Sequence, residues 1–366
     1  MLKLENNLSK HFYFVDFFRG VAALVVMIGH YQHFFYKNGY YRDIDVTLQP
    51  YYKELHFFYF NGSMAVKLFW VISGFVFATA YLTSEFPTLK SFFIKRFARL
   101  YPLHFVTLII VAILQFICFK TTHYYQIYHF NDWYHFFLNL GLVSNWGFQR
   151  GSSFNAPIWS VSVEIFIYIL FYCSLRFIKL APVLATTALV LFFHFFVNEG
   201  SFLYPFKLCG FFFFFGVGVY VILNLFKKWN VVVLIVSGLI FASTIGMRHY
   251  DKEFGGSFLC LVFLLPSLIL FLSSLDLLDT QQWGEKVKIV GDLSFSLYLC
   301  HVPMEILIIL IVDNFGIDKS IYSSGLFLFC YIVSVISVSY CSYTYFELPM
   351  RNYFRSKSRV SVLVNS

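Results

Sequence analysis

The sequence predicts an all-α, polytopic membrane protein of about ten transmembrane helices, with both termini cytoplasmic. Of its 366 residues, 59% are hydrophobic and only 13% are charged, whereas about a quarter of a typical soluble domain is charged. Apolar runs of about 20 residues, the length of a membrane-spanning helix, recur along the whole chain. Basic residues gather at alternate ends of these runs, as the positive-inside rule predicts for a multi-pass protein.

Ten apolar segments support this count. The predicted spans are 13–35, 60–82, 100–119, 158–177, 181–198, 202–226, 230–247, 255–276, 291–312 and 321–345. The stretch 133–146 is shorter and more polar, which indicates an interfacial or re-entrant helix between the third and fourth spans. With the N-terminus in the cytoplasm, every predicted cytoplasmic connection is positively charged and most of the 27 Lys and Arg lie there.

Composition argues against several other classes of protein. The net charge of +8 does not indicate a nucleic-acid partner, because the basic residues flank apolar runs and form no patch. The seven cysteines lie in apolar runs without a C-x-x-C pair, so we expect small buried side chains and no disulfide framework. His30 and His33 are three residues apart without an obvious third ligand, so no metal site is predicted.

The stretch "FFRGVAALVVMIGH" places Arg19 and His30 on one face of the first predicted helix. Eleven residues are about three helical turns, so the two side chains lie roughly 16 Å apart along the axis. Because ionisable residues within a span usually face a protein interior or a water-filled cavity, the pair predicts a polar path from the inner face into the membrane. The alternative is a structural contact between Arg19 and Asp16, with a buried, hydrogen-bonded histidine.

A second basic cluster lies in "SFFIKRFARLYPLH", between the second and third predicted spans. Arg96 and Arg99 are three residues apart and project from the same side of a starting helix. With Lys95 beside them, their forked donors suit the oxygens of a phosphate group. The alternative is an anchor that sets the membrane topology.

The fourth predicted span opens with "NAPIWSVSVEIFIYIL", where Ser160, Glu164 and Tyr168 are spaced by four residues on one face. A glutamate one or two turns inside a span is costly unless it is paired, so Glu164 is a functional candidate. The alternative is a structural partner for an arginine.

The ninth predicted span carries a polar stripe on an otherwise apolar helix. Its members, spaced by four, three and four residues, are Ser294, Tyr298, His301 and Glu305. Pro303 is expected to distort this helix near His301. Near the end of the tenth span, Glu347 and Arg351 are predicted to pair at the cytoplasmic surface.

Six segments, in this order, resemble the acyltransferase-3 family of integral membrane O-acyltransferases, which modify bacterial surface polysaccharides and related molecules. These segments are "VDFFRGVAALVVMIGH", with the family's Arg-x10-His spacing, "KLFWVISGF", "KRFARLYPLH", "PIWSVSVEIFIY", "LSFSLYLCHVPM" and "YFELPMRNYF". The resemblance covers about residues 12–355. It departs from the family at Lys67, where many relatives have an acidic residue. Some relatives carry a fused SGNH hydrolase-like domain, whereas this resemblance is to the membrane part alone.

The resemblance implies a single membrane-embedded acyltransferase domain, 1–366, in the bacterial inner membrane. It implies acyl-CoA, most often acetyl-CoA, as co-substrate, with no permanently bound cofactor, and a surface glycan such as O-antigen or its lipid-linked precursor as acceptor. Membrane lipid surrounds the protein, and no nucleic acid is involved. His30 would act as general base or as a transient acyl carrier, and Glu164 would orient it. The remaining roles are donor binding by Arg19, Arg96 and Arg99, and acceptor lining by Trp159, Ser160, Ser162, Tyr298 and His301.

A proton-coupled transporter or exporter is the rival class, because intramembrane His, Glu and Arg also suit such carriers. Neither repeated halves nor a matched pair of broken helices is visible in the sequence. A non-catalytic partner in polysaccharide assembly is a third alternative. The aromatic-rich segment 123–154 is consistent either with stacking on sugar rings or with anchoring at the membrane interface.

Overall fold

The computed structural model describes residues 11–37, 44–195 and 202–363, with side chains up to residue 356. The predicted cytoplasmic residues 1–10 and the end of the predicted fifth span, 196–198, lie outside this part. Within it the chain is helical and contains no β-strand, and nine segments are long and apolar enough to cross a membrane. The prediction of an all-α polytopic membrane protein is therefore confirmed.

Sixteen α-helices are described, in chain order. Their bounds are α1 Tyr13–His30, α2 Tyr52–Phe60, α3 Gly62–Tyr81, α4 Leu89–Thr122, α5 Trp133–Leu140, α6 Trp159–Leu180, α7 Pro182–Phe195, α8 Tyr204–Leu225, α9 Asn230–Tyr250, α10 Lys252–Gly256, α11 Phe258–Leu278, α12 Trp283–Lys286, α13 Lys288–Asp292, α14 Ser294–Asn314, α15 Gly325–Ser342 and α16 Leu348–Leu363. Six shorter pieces accompany these helices: 3₁₀ turns at Tyr31–Phe35, Val46–Leu48, Ala156–Ile158, Lys227–Trp229 and Lys319–Ser323, and a π-helical turn at Tyr343–Glu347.

The third predicted span differs in length from the observed helix, and the fifth is described only in part. The fifth corresponds to α7, whose 14 described residues, up to Phe195, are about 21 Å long; the rest of this predicted span lies outside the described residues. The third corresponds to α4, which begins at Leu89, eleven residues before the predicted start. The hydroxyl of Thr88 accepts a hydrogen bond from Ser91 N (3.2 Å) and caps this earlier start. The basic cluster therefore belongs to the same helix as the span.

The chain divides into two compact units. Unit one contains the described parts of 1–22, 63–86 and 163–292, hence most of α3 and α6 together with α7–α13. Aromatic rings fill its interior: Phe77 stacks on Tyr168 at 4.4 Å and meets Phe171 and Phe213 edge-on at 5.3 Å. The hydroxyl of Tyr168 is 3.4 Å from Ser73 Oγ, which satisfies the polar end of the ring within the apolar core.

Helices α3 and α8 approach so closely that glycine is required on both. A Cβ added at Gly216 of α8 would collide with the carbonyl oxygen of Val71, and one added at Gly74 of α3 would collide with that of Phe213. Backbone groups cannot swing aside as the end of a flexible side chain can. The two helices are therefore matched to each other by small residues, a common solution where helices pack in a membrane.

Gly216→Ala is expected to destabilise the protein by about 1–3 kcal/mol, because the new methyl group overpacks a main-chain contact. Gly246→Ala on α9 is the matched control, since nothing lies within 4 Å of the added atom there, and alanine is the better helix former by up to about 1 kcal/mol. The apparent unfolding midpoints of both variants in one detergent check this. Equal midpoints would contradict the close approach.

Unit two contains the described parts of 23–62, 87–162 and 293–366. Helix α14 packs against α4 and α15, and α16 packs against α4. The predicted short helix at 133–146 is present as the eight-residue α5, followed by the loop that leads to α6. The short helix was predicted, but its depth in the membrane stays a prediction. Unit two also contains the second half of α1 with His30.

Several long helices expose apolar faces typical of contact with lipid. On α9, Val231, Ile235 and Leu239 recur every four residues and are 56%, 56% and 62% exposed. Such a stripe is costly in water but favourable in hydrocarbon.

The cysteine prediction needs a correction, because Cys173, Cys330 and Cys341 are exposed on helices rather than buried. All seven thiols are free.

Candidate active site

A pair of hydrogen-bonded imidazoles lies in unit two. His30 is the last residue of α1 and is partly exposed, whereas His301, in the second turn of α14, is fully buried. Their rings stack at 5.0 Å with an interplanar angle of 12°, and His30 Nδ1 is 2.9 Å from His301 Nε2. The hydrogen bond of His30 that was left as an alternative is therefore present, although the side chain is partly exposed.

The surrounding bonds define which nitrogen of each ring carries the proton. His301 Nδ1 lies 3.1 Å from the carbonyl oxygen of Leu297, which only accepts, so Nδ1 of His301 carries a hydrogen. Nε2 of the neutral His301 ring is then an acceptor, and His30 must donate from Nδ1. It follows that Nε2 of neutral His30 holds a lone pair. His30 can take up a proton there without losing its bond to His301.

A third histidine, His33, stacks on the His30 ring. It lies on the 3₁₀ turn that continues α1, and a 3₁₀ helix places residues three apart directly above one another. The His30 and His33 rings are accordingly 4.9 Å apart, with an interplanar angle of 20°. Nδ1 of His33 is 2.6 Å from Glu305 Oε2, and Tyr331 donates its hydroxyl hydrogen to Oε1 of the same carboxyl group at 2.7 Å.

Glu305 is thus the carboxyl group found within the histidine cluster. It is fully buried and lies four residues after His301 on one face of α14. Glu305 was predicted as a member of the polar stripe but without a role, and His33 was considered only as a metal ligand. Paired spacings, three in His30–His33 and four in His301–Glu305, were the available signal. In the part of the chain that the structure describes, no three His, Cys, Asp or Glu are grouped to hold a metal ion.

Ser160 and Tyr298, both predicted to line the acceptor side, contact each other. Their hydroxyl oxygens are 2.8 Å apart, and Tyr298 donates to the carbonyl of Pro157 at 2.8 Å, so Ser160 donates to Tyr298. The Tyr298 ring meets the His301 ring at 6.2 Å and 68°. The start of α6 therefore lies against the helix that carries the buried histidine.

Pro303 explains one contact between α14 and the segment that leads into α6. Proline has no N–H, so the carbonyl of Leu299, four residues earlier, loses its helical partner. The side chain of Asn155 donates to this carbonyl at 2.9 Å and replaces the missing helical hydrogen bond.

Ser162 has a local role, since its Oγ accepts from Asn145 N (3.3 Å) and its carbonyl accepts from Trp146 Nε1 (2.9 Å).

Glu164 lies half-buried on α6 in unit one. Its predicted action on His30 stays a prediction. Glu347 corrects another expectation: it is 3% exposed and accepts a hydrogen bond from Ser296 Oγ at 2.8 Å, so it is buried rather than at the surface. The π-helical turn Tyr343–Glu347 precedes α16, a change in pitch that the sequence did not indicate.

Arg19 makes the structural contact that the sequence analysis left as an alternative. Its guanidinium lies 2.7 Å from Asp16 and donates to the carbonyl of Gly291 at 2.8 Å, all within unit one. Asp16 also accepts a hydrogen bond from His11 Nε2 at 2.8 Å, and this bond raises the pKa of His11 above its ordinary value. Arg19 is thereby held in place, and its role toward a donor stays a prediction.

Arg96 and Arg99 lie near the start of α4, in unit two, each partly exposed, with Lys95 exposed beside them. Three residues apart on a continuous helix, they project from the same side, as predicted. Because α4 packs against α14, the helix with the paired arginines also supports the helix with His301.

A known protein family matches most of the chain. The acyltransferase-3 family, described as "Acyltransferase domain", matches residues 12–344. The class is therefore that of multi-pass membrane proteins with an acyltransferase domain. The chain belongs to the acyltransferase-3 family, as the six sequence segments predicted.

Two curated proteins are similar to part of the chain. Acyltransferase MdmB of Streptomyces mycarofaciens is 32% identical over 124 residues, which are 33% of this chain and 30% of MdmB. Protein 2 in picA locus of Rhizobium radiobacter is 35% identical over 118 residues, 31% of this chain and 51% of the relative. These alignments span from under a third to about half of the relatives' lengths. No solved structure matches the chain.

Proposed function

We propose that the protein is an O-acyltransferase of the bacterial inner membrane. It moves an acyl group, most often acetyl, from cytoplasmic acyl-CoA to a hydroxyl group of a cell-surface polysaccharide or its lipid-linked precursor. Membership of the acyltransferase-3 family supports the reaction class. The observation that carries the proposal is the hydrogen bond of His30 Nδ1 with His301 Nε2, from which we infer a lone pair on Nε2 of His30.

In the proposed reaction, His30 Nε2 takes the proton of the acceptor hydroxyl while the hydroxyl oxygen attacks the thioester carbonyl. The new C–O bond forms, the C–S bond breaks, and the proton passes from His30 to the departing sulfur. Atoms and charge therefore balance without a further reagent. An alternative is attack by Nε2 itself to give a transient acyl-histidine, which uses the same lone pair.

The surroundings of His30 suit a ring that becomes positively charged during the reaction. Its Nδ1–H stays bonded to His301 in both protonation states, so the ring does not rotate when the proton arrives. His33 stacks on it and is bonded through Nδ1 to the Glu305 carboxyl group. In this proposal Glu305 is a positioning residue that supports the charge on His30 through His33.

Arg96 and Arg99 are proposed to bind the phosphate groups of the donor. Guanidinium forks bind phosphate oxygens in bidentate fashion, and two on one side of a helix match a ligand with several phosphates. Their predicted position at the cytoplasmic end of α4 fits a donor that is confined to the cytoplasm. The polar path from this end to His30 stays part of the proposal.

Glu305→Gln is expected to lower kcat by about 10- to 100-fold while leaving the KM for acetyl-CoA unchanged, because the neutral amide keeps the shape but loses the charge that supports the His30 imidazolium. Glu285→Gln, at an exposed position of α12, is the matched control and should keep the wild-type kcat. Steady-state rates in lipid vesicles check both. A KM effect without a kcat effect would contradict the role of Glu305.

The proposed function is tested by mass spectrometry of surface glycans and lipid-linked glycans from cells with and without the gene. An added acyl mass that requires the gene supports acyl transfer. Loss of glycan from the surface without a change in its acylation would favour the exporter instead.

A further inference from the structure

A polar cavity of about 260 Å³ lies in unit two, where the loop after α5 meets the start of α6. All nine residues that line it are uncharged: three side-chain amides, three serines, a tryptophan, a glycine and an alanine. Its volume is slightly below the roughly 300–1,000 Å³ of sites for drug-sized ligands, so it suits a single ring. Trp159 contributes the aromatic surface of this cavity.

The hydrogen bonds of Asn139 leave one of its acceptor atoms, Oδ1, unused. Its Nδ2 hydrogens go to the carbonyl of His135 at 2.8 Å and to Ser153 Oγ at 2.9 Å. Its main-chain carbonyl accepts from His104 Nε2 at 2.8 Å. The residue is only 1% exposed, yet Oδ1 has no hydrogen-bond partner among the described residues.

Ser144, also in the cavity wall, repeats this pattern. Its Oγ is buried, and within the described part of the chain it has no hydrogen-bond partner. Buried polar groups are almost always paired, and an unpaired one is costly. A bound molecule that donates to the Asn139 oxygen and pairs with the Ser144 hydroxyl would satisfy both atoms.

A chain of contacts links the cavity wall to the histidine cluster. Trp159, in the wall, is followed by Ser160, and Ser160 is hydrogen-bonded to Tyr298. The Tyr298 ring in turn contacts the ring of His301. The segment that contributes to the cavity wall is also attached to α14, because Asn155, next to the lining residue Ala156, donates to the carbonyl of Leu299. A ligand in the cavity would therefore lie against the elements that position His30.

From this arrangement we propose that the cavity binds the hydroxyl-bearing ring of the acceptor and that this ring is an uncharged, sugar-like polyol. The inference rests on the proposed acyl transfer and assigns the acceptor site within it. Trp159 provides an apolar face for the C–H side of the ring. Asn139 Oδ1 and Ser144 Oγ bond to its hydroxyl groups. A carboxylate or phosphate on the ring would find no cation among the lining residues and would remain unpaired.

The test uses the full-length protein in lipid nanodiscs and saturation-transfer NMR. The probes are the methyl glycosides of glucose, galactose and mannose, with methyl glucuronide as the charged counterpart. We expect at least one neutral glycoside to bind and the glucuronide to bind at least tenfold more weakly. Trp159→Ala and Asn139→Ala should each weaken binding by about five- to tenfold, whereas Trp159→Phe keeps most of it.

Trp133→Ala is the matched control, because Trp133 lies on α5 but is 77% exposed; it should bind as the wild type does. The proposal is overturned if no neutral glycoside binds, if the glucuronide binds equally well, or if Trp159→Ala and Trp133→Ala behave alike. His30→Asn separates this inference from the proposed function: it should bind the glycoside normally but not transfer acyl groups. If the wild-type protein binds the glycoside in a way that depends on Trp159 but transfers no acyl group, the binding site is supported and the proposed acyltransferase function is refuted.

Discussion

Replacement of His30 by asparagine is expected to lower the rate of acyl transfer by about 10²- to 10⁴-fold, the usual contribution of a general base. Asparagine can place its amide nitrogen near the position of Nδ1 and keep a donor toward His301 Nε2. It offers no basic atom in place of Nε2. The variant therefore removes the proposed chemistry while preserving the contact that joins α1 to α14.

The measurement is transfer of radiolabelled acetyl from acetyl-CoA to a glycan and lipid extract, with purified protein in lipid vesicles. The apparent unfolding midpoint of His30→Asn should remain close to that of the wild type. His56→Asn is the matched control, since His56 lies on the short helix α2 and is exposed. Transfer by His30→Asn at the wild-type rate would remove His30 as the base.

The double variant Arg96→Ala, Arg99→Ala is expected to raise the KM for acetyl-CoA by about 10²- to 10⁴-fold. Each charge-assisted hydrogen bond contributes about 1.5–3 kcal/mol, and about 1.4 kcal/mol corresponds to a factor of ten. Lys90→Ala, at an exposed position in the first turn of the same helix, changes the local charge without removing a guanidinium and should have little effect.

A shortened donor makes this test specific for phosphate binding. S-acetylpantetheine has the reacting thioester but lacks the phosphates of coenzyme A. The wild type should strongly prefer acetyl-CoA, whereas the double variant should use both donors with similar efficiency. If the double variant keeps the wild-type preference, the phosphate groups bind elsewhere.

Helix content and the approximate number of spans were predictable because the length of an apolar run is a local property of the sequence. The start of α4 was not. It lies in a basic segment that hydropathy alone does not distinguish from a loop, although Thr88 was a recognisable cap.

The sequence predicted which residues belong to the candidate site better than it predicted which of them contact each other. Spacing places His30, Glu164 and Glu305 on particular helix faces, but it does not say which face each one meets. The contact of His30 with His301 joins residues 271 positions apart, and such contacts arise only from tertiary packing. The role of His33 depended on the 3₁₀ turn after α1, because in that geometry it lies directly over His30.

The most direct test of the central claim is nitrogen NMR of histidine-labelled protein in lipid bilayers, with the His30 signals assigned by their loss in His30→Asn. The account predicts that at neutral pH His30 carries its hydrogen on Nδ1 and a lone pair on Nε2, and that His301 is also protonated on Nδ1. A neutral His30 with its hydrogen on Nε2 would contradict the account, because that nitrogen could not then accept the proton of an acceptor hydroxyl.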